Sequence, residues 1–171
     1  MTFYSGFSLS NDRRFFNSYV IDSHYTVAGF SYGAIKAVEH AAASKRRIDT
    51  LQLFAPAFFQ TKKASFKRLQ LSAFRNDPED YRKRFIEGCF APYNVQEIDL
   101  YGGTAEELDE LLNYVWDENL MQLIVDKGIR IEVYLGLEDR IIDVEGARDF
   151  FLPYATVTSI VKGNHFLGVG V

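Results

Sequence analysis

The clearest candidate for a reactive residue is Ser31, which lies between two glycines in the stretch Gly29-Phe30-Ser31-Tyr32-Gly33. An apolar strand precedes this stretch and an alanine-rich helix follows it, so the serine falls at a strand-to-helix turn. Such a turn needs glycines where a Cβ atom would clash, and it holds the serine at positive φ with its hydroxyl exposed. Ser31 is therefore the candidate nucleophile, and an ordinary tight turn is the alternative.

A serine nucleophile needs a general base, and the chain has three histidines. His24 precedes Ser31 on the same predicted strand and lies ~23 Å away at ~3.3 Å per residue. His40 lies along the following helix, ~13 Å from the serine at ~1.5 Å per residue. His165 follows the last predicted strand, and the loop after a parallel strand opens at the same sheet edge as the serine turn. We therefore predict that His165 is the base.

A carboxylate that orients the histidine should lie at the same edge. The stretch YLGLEDRIID follows the penultimate predicted strand, and Asp139 is the preferred acid within it. Glu138 and Asp143 remain alternatives. The order Ser31, Asp139, His165 along the chain is the order expected of an α/β-hydrolase.

Two backbone amides are candidates for stabilising an oxyanion. The Tyr32 amide lies at the start of the predicted helix, where the helix dipole is positive. The second donor should come from the loop after the first strand, where Gly6 allows close backbone approach and Phe7 supplies the amide. A plain glycine turn is the alternative for that loop.

Predicted strands and helices alternate at both ends of the sequence, which is typical of a parallel sheet. The five strands lie in TFYSGF, YTVAGF, IDTLQLFAPAF, GIRIEVYLG and ATVTSIV, and a helix is predicted over SNDRRFFNSYVI. Amphipathic helices fill residues 57–127, where Thr104 and Glu107 match a capping box. We therefore expect a small α/β core of residues 1–56 and 128–171, with a helical lid at 57–127 inserted after the third strand.

Composition limits the remaining possibilities. The 171 residues are 47% hydrophobic and 15% aromatic, enough for a packed core. The single cysteine, Cys89, allows no intrachain disulfide and joins no Cys/His cluster, so we expect a reducing compartment and no metal. The net charge of −4 does not favour nucleic acid. Because no secretory signal or long apolar run is present, we expect a cytoplasmic protein without a membrane partner or a cofactor.

Charge is segregated within the predicted lid. Residues 60–90 hold eight basic residues and four acidic ones, whereas residues 91–126 hold nine acidic residues and no lysine or arginine. Guanidinium groups bind phosphates and carboxylates in bidentate fashion. The predicted phosphate or acidic-partner ligands are therefore the arginines of the basic stretch, Arg68, Arg75, Arg82 and Arg84. A solvated helix face is the alternative.

Several stretches, among them SGF, GFSYGAIKAVEHA, RRIDTLQLFAPAFF, FKRLQL and GIRIEVYLGLEDRIID, give the sequence a resemblance to a known family. The chain resembles the short pimeloyl-acyl-carrier-protein methyl ester esterases of ε-proteobacterial biotin synthesis. This resemblance implies an α/β-hydrolase with about five strands and a triad of Ser31, Asp139 and His165. It also implies that the partner is acyl carrier protein bearing methyl pimeloyl-phosphopantetheine, and that the enzyme removes the methyl ester.

Two other functions remain open from the sequence. A general short-chain carboxylesterase or thioesterase would use the same three side chains. A hydrolase-shaped binding module without activity is the other possibility, but such a module would be expected to lack Ser31, Asp139 or His165.

Overall fold

In the computed structural model, which describes residues 1–169, helices cover both faces of a five-stranded parallel sheet. The strands are β1 (Thr2–Tyr4), β2 (Leu9–Ser10), β3 (Thr26–Phe30), β4 (Thr50–Phe54), β5 (Asp99–Leu100), β6 (Arg130–Gly136) and β7 (Thr156–Ile160). The α-helices are α1 (Tyr32–Ala43), α2 (Ala64–Asn76), α3 (Pro78–Phe90), α4 (Ala105–Asn113), α5 (Glu118–Asp126) and α6 (Val144–Phe151). The main sheet has the order β1-β3-β4-β6-β7, and β2 pairs with β5 in a separate antiparallel ribbon.

Alternate residues of the central strands supply two separate cores. Every residue of β3 and β4 is buried, so both faces of these strands are covered. On one face, Val27 and Leu53 pack into a core with residues of α1, α5 and α6. On the other face, Phe30 and Phe54 pack with the aromatic cluster that includes Phe16. The strand period of two therefore assigns each side chain to one core.

The predicted fold class is confirmed: a minimal α/β sheet has helices inserted after its third strand. The inserted helices α2, α3 and α4 pack together through α2, whereas α5 lies against α1 and contributes Met121 and Ile124 to the first core. Within residues 1–169, no helix has both the length and the apolar character needed to cross a membrane.

The structure differs from the sequence prediction between β1 and β3. The predicted helix there is only a 3₁₀ segment at Asp12–Phe16, preceded by Asn11 in a left-handed conformation without a side-chain cap. The chain after it is held by a buried side chain of β4, because Gln52 accepts the Ile21 amide at 2.8 Å and donates to the Tyr19 carbonyl at 2.9 Å. These long-range hydrogen bonds replace the helical ones that the local pattern predicted.

Candidate active site

Ser31 stands on a strained turn between β3 and α1. Its φ and ψ are 52° and −114°, a region that L-residues rarely adopt. A Cβ at Gly29 would collide with the Gly33 carbonyl, and a Cβ at Gly33 would collide with the Tyr4 carbonyl. The Ser31 amide donates to the Phe54 carbonyl at 2.9 Å, which ties the turn to β4. The two glycines therefore let β1, β3 and α1 approach closely enough to hold the serine in this conformation.

Three side chains that are far apart in sequence form one hydrogen-bonded line. His165 Nε2 lies 3.0 Å from Ser31 Oγ, and His165 Nδ1 lies 2.6 Å from Asp139 Oδ2. The imidazole and the carboxylate are fully buried. The other Asp139 oxygen accepts the Ile141 amide at 2.7 Å, so both carboxylate oxygens have a partner. A carboxylate bonded to Nδ1 favours the tautomer that leaves Nε2 free to accept the serine proton.

The other candidates from the sequence lie elsewhere. The Asp143 carboxylate caps α6 by accepting the Gly146 amide at 3.1 Å, and the Thr61 hydroxyl donates to it at 2.6 Å. Both hydrogen bonds lower the pKa of the Asp143 carboxyl, and the Thr61 hydroxyl has the larger effect. His40 Nδ1 lies 3.0 Å from the Tyr4 hydroxyl, and His24 is exposed before β3. Glu138 lies 3.5 Å from the Tyr93 hydroxyl.

Asn164 was not among the predicted site residues, although it holds the histidine loop. Its side chain is buried and donates to the Phe90 carbonyl at 2.8 Å. Its Oδ1 accepts the amides of Phe166 and Gly168, each at 3.0 Å. The Asn164 side chain therefore holds the loop around His165 together and joins it to the end of α3. An asparagine next to a histidine at a strand end is the only sequence signal for this role.

The two amides predicted to form an oxyanion hole lie on either side of the serine turn. Tyr32 is the first residue of α1, and Phe7 follows Gly6 in the loop after β1. Among residues 1–169 neither amide has a hydrogen-bond partner. The Phe7 ring is buried against Phe74 of α2 and Phe85 of α3. Their role as oxyanion donors stays a prediction.

An apolar cleft of ≈ 400 Å³ opens between the serine and the inserted helices. Ser31 and Phe7 lie on its core side, and α2, α3 and α4 form its outer wall. Two arginines, Arg84 and Arg140, also line it. The remaining lining residues are mostly apolar: Phe59, Phe66, Leu69, Gln70, Ala73, Tyr81, Phe85, Leu108, Leu111, Leu112 and Ile141.

The four arginines predicted to bind a partner have different surroundings. Arg68 and Arg75 are exposed on α2. Arg84 borders the cleft and forms an exposed ion pair with Asp80 at 2.8 Å. Arg82 instead donates to the Gly103 carbonyl at 3.0 Å, with its guanidinium over the Phe74 ring. Arg82 therefore has an internal role that the sequence pattern did not indicate, and Arg140 of the cleft was not predicted at all.

Comparison with known proteins gives matches to solved structures only, since neither the family models nor the curated proteins contain a match. BioG from Haemophilus influenzae superposes with a TM-score of 0.65 and 12% identity, over 97% of this chain and 88% of BioG. An E-2-(acetamidomethylene)succinate hydrolase gives a TM-score of 0.54 and 11% identity, over 96% and 84% of the two chains. The chain has the α/β-hydrolase fold.

This chain is short beside some of its structural neighbours. The esterase EaEST from Exiguobacterium antarcticum matches with a TM-score of 0.61 and 15% identity over 82% of this chain, which spans 59% of that esterase. No group of three His, Cys, Asp or Glu side chains that could hold a metal ion occurs in residues 1–169.

We predict that a fluorophosphonate probe labels Ser31 covalently, because His165 can take the proton of its hydroxyl as the oxygen attacks phosphorus. Ser31→Ala should fold with an unchanged melting temperature and show no labelling by mass spectrometry. Ser72→Ala, at an exposed position on α2, is the control and should keep full labelling. Labelling that persists in Ser31→Ala would contradict the assignment.

We also predict that Asp139→Asn lowers kcat by several orders of magnitude, by analogy with ~10⁴ in a serine protease. The asparagine amide can donate towards Nδ1 and so stabilise the wrong histidine tautomer. Asp143→Asn is the matched control: asparagine caps a helix about as well as aspartate, so activity and stability should change little. Kinetics on a small ester measure both variants, and a larger loss in Asp143→Asn would reverse the choice of acid.

Proposed function

We propose that this protein is a serine carboxylesterase that uses Ser31, His165 and Asp139 as its triad. The observation that carries the proposal is the continuous line of hydrogen bonds from Asp139 through His165 to the Ser31 hydroxyl. Ser31 also lines the apolar cleft. The neighbours with the same fold include an esterase and a hydrolase, which supports the class of reaction.

The geometry is consistent with hydrolysis through an acyl-serine. Ser31 Oγ attacks the ester carbonyl carbon while His165 Nε2 accepts its proton, and the carbonyl oxygen becomes an oxyanion. The proposed donors to that oxyanion are the amides of Phe7 and Tyr32. Collapse of the intermediate breaks the bond to the alkoxy oxygen, which leaves as the alcohol with the proton from His165. Water then attacks the acyl-serine with His165 as base, and the carboxylic acid is released.

The substrate that we propose is the methyl ester of pimeloyl-[acyl-carrier protein], whose product is the free terminal carboxylate needed for biotin synthesis. The sequence resemblance supports this choice, and so does the shape of the cleft. An apolar channel lined by lid residues suits an alkyl chain, while Arg84 and Arg140 add positive charge to its lining. A triad alone distinguishes esters poorly, so selectivity must come from binding energy away from the reacting bond.

The proposed partner is acyl carrier protein in the cytoplasm, docked on the lid formed within residues 57–127. Carrier proteins are acidic, and their prosthetic group includes a phosphate. The exposed arginines of α2 and α3, Arg68, Arg75 and Arg84, are the proposed contacts. The sequence also predicted Arg82 as a contact, but its guanidinium already donates a hydrogen bond to the Gly103 carbonyl. We therefore assign the docking role first to the other three arginines.

Incubation with the carrier-linked methyl ester tests the substrate directly. We expect intact-protein mass spectrometry to show replacement of the methoxy group by hydroxyl, with the acyl chain still on the carrier. Ser31→Ala is the control and should leave the ester unchanged. Release of free methyl pimelate would identify a thioesterase, and activity confined to small esters would identify a general carboxylesterase. Inactivity on every ester would point to a silent binding module.

Electrostatic docking gives a separate prediction. Exposed ion pairs contribute only ~0.2–1 kcal/mol each and weaken as salt rises, but several together can raise association about tenfold. We expect kcat/KM for the carrier-linked ester to fall steeply with salt, and Arg84→Glu alone to lower it about two- to fivefold at low salt. Hydrolysis of a small neutral ester should change little in either case.

Lys45→Glu is the matched control for Arg84→Glu, because it makes the same charge change on an exposed residue beyond the far end of α1 from Ser31. Its kinetics should resemble those of the unmodified protein. Equal salt dependence for the carrier-linked and the small ester would refute the docking role of the basic stretch.

A further inference from the structure

Asp12 is a buried carboxylate outside the proposed triad. Its side chain is fully buried, and its Oδ2 accepts the Gly6 amide at 2.8 Å. Its Oδ1 has no hydrogen-bond partner within residues 1–169. Burial raises the pKa of Asp12 above its ordinary value. A buried carboxylate with one free oxygen costs free energy, so its presence calls for an explanation.

The hydrogen bond between Asp12 and the Gly6 amide holds the loop that leads to the proposed oxyanion hole. Gly6 precedes Phe7, and the Gly6 carbonyl accepts the Leu9 amide at 3.1 Å. Because the C=O and N–H groups of a trans peptide point in opposite directions, that bond sets the direction of the Phe7 amide in the same peptide plane. Asp12 holds the preceding peptide plane through the Gly6 amide. Both planes that flank Gly6 are therefore fixed.

The loop needs this support because residues 5–8, between β1 and β2, lie outside any strand or helix. Ser8, at the end of this loop, has a positive φ of 57°. Gly6 lies against Phe30, whose ring a Cβ at Gly6 would meet at 2.9 Å, and Phe30 directly precedes Ser31. A shift of the Gly6 peptide would thus move the Phe7 amide relative to the serine.

We propose that Asp12 is a positioning residue for the oxyanion hole: its carboxylate holds the Gly6 peptide so that the Phe7 amide points at the ester carbonyl oxygen on Ser31. This inference rests on the proposed esterase function. Within residues 1–169 no hydrogen bond joins Asp12 to Ser31, His165 or Asp139, and in this proposal Asp12 acts through the Gly6 backbone. Loss of its acceptor oxygen should weaken stabilisation of the transition state and leave binding of the ground state nearly unchanged.

The test compares a small ester with its thiono analogue, p-nitrophenyl butanoate against the compound in which sulfur replaces the carbonyl oxygen. Sulfur is a weak acceptor, so an intact oxyanion hole favours the oxygen ester strongly. In Asp12→Ala we expect kcat for the oxygen ester to fall at least ~10-fold with KM little changed, since deleting one oxyanion donor outright costs ~10²–10³. The ratio of kcat/KM between the two esters should fall as well.

The ratio separates positioning from folding, because both esters are measured on the same protein and a loss of folded fraction cancels. Asp12→Asn keeps an acceptor oxygen in nearly the same shape and should restore most of the ratio. Asp22→Ala is the control for an exposed aspartate on the same stretch of chain, where Asp22 pairs with Arg13 at 3.4 Å, and it should leave the ratio unchanged.

An active enzyme whose ester ratio is the same in Asp12→Ala, in Asp12→Asn and without substitution would overturn the proposal and leave Asp12 a purely structural residue. Failure of the unsubstituted protein to hydrolyse either ester is a different result. It would refute the esterase function and, with it, the oxyanion hole that Asp12 is proposed to position.

Discussion

The close approach of β1, β3 and α1 at two glycines is the constraint on which the site depends. Gly33 lies against the Tyr4 carbonyl at the end of β1, and Gly29 lies against the backbone of Gly33, with no room for a Cβ atom at either place. This contact sets Ser31 at positive φ and starts α1 directly beneath it. It also starts the loop after β1 beside the serine turn, because Gly33 contacts the Tyr4 and Ser5 carbonyls.

A similar contact joins the other two loops of the site. A Cβ at Gly136, the last residue of β6, would collide with the carbonyls of Gly163 and Asn164. The loops that carry Asp139 and His165 begin at the neighbouring strands β6 and β7. Their backbones are therefore in direct contact where β6 ends. The buried aspartate–histidine pair lies in an apolar environment beside the Phe30 ring, where the hydrogen bond between the two side chains is stronger than in water.

Parallel topology explains why much of this arrangement could be predicted. Strand-to-helix turns of a parallel sheet open at one edge, so Ser31, Asp139 and His165 could be placed there from their positions after predicted strands. Asp12, Asn164 and Arg82 could not be placed, because each binds a backbone group that no sequence pattern indicates: the Gly6 amide, the Phe90 carbonyl and the Gly103 carbonyl. No periodic pattern reports such a bond. The 3₁₀ segment was missed for the same reason, since Gln52 of β4 holds the chain that follows it.

The antiparallel ribbon of β2 and β5 makes the inserted helices part of the core architecture. Tyr101 donates to the Ser8 carbonyl at 3.0 Å, and Gly103 packs on Phe7 while accepting a hydrogen bond from Arg82 of α3. Tyr32 at the start of α1 donates to Glu110 of α4 at 2.5 Å. The insertion is thus anchored at both sides of the serine turn. A lid transplanted from a longer relative would remove these anchors, so the segment cannot be exchanged as an independent module unless it brings a strand that pairs with Leu9 and Ser10.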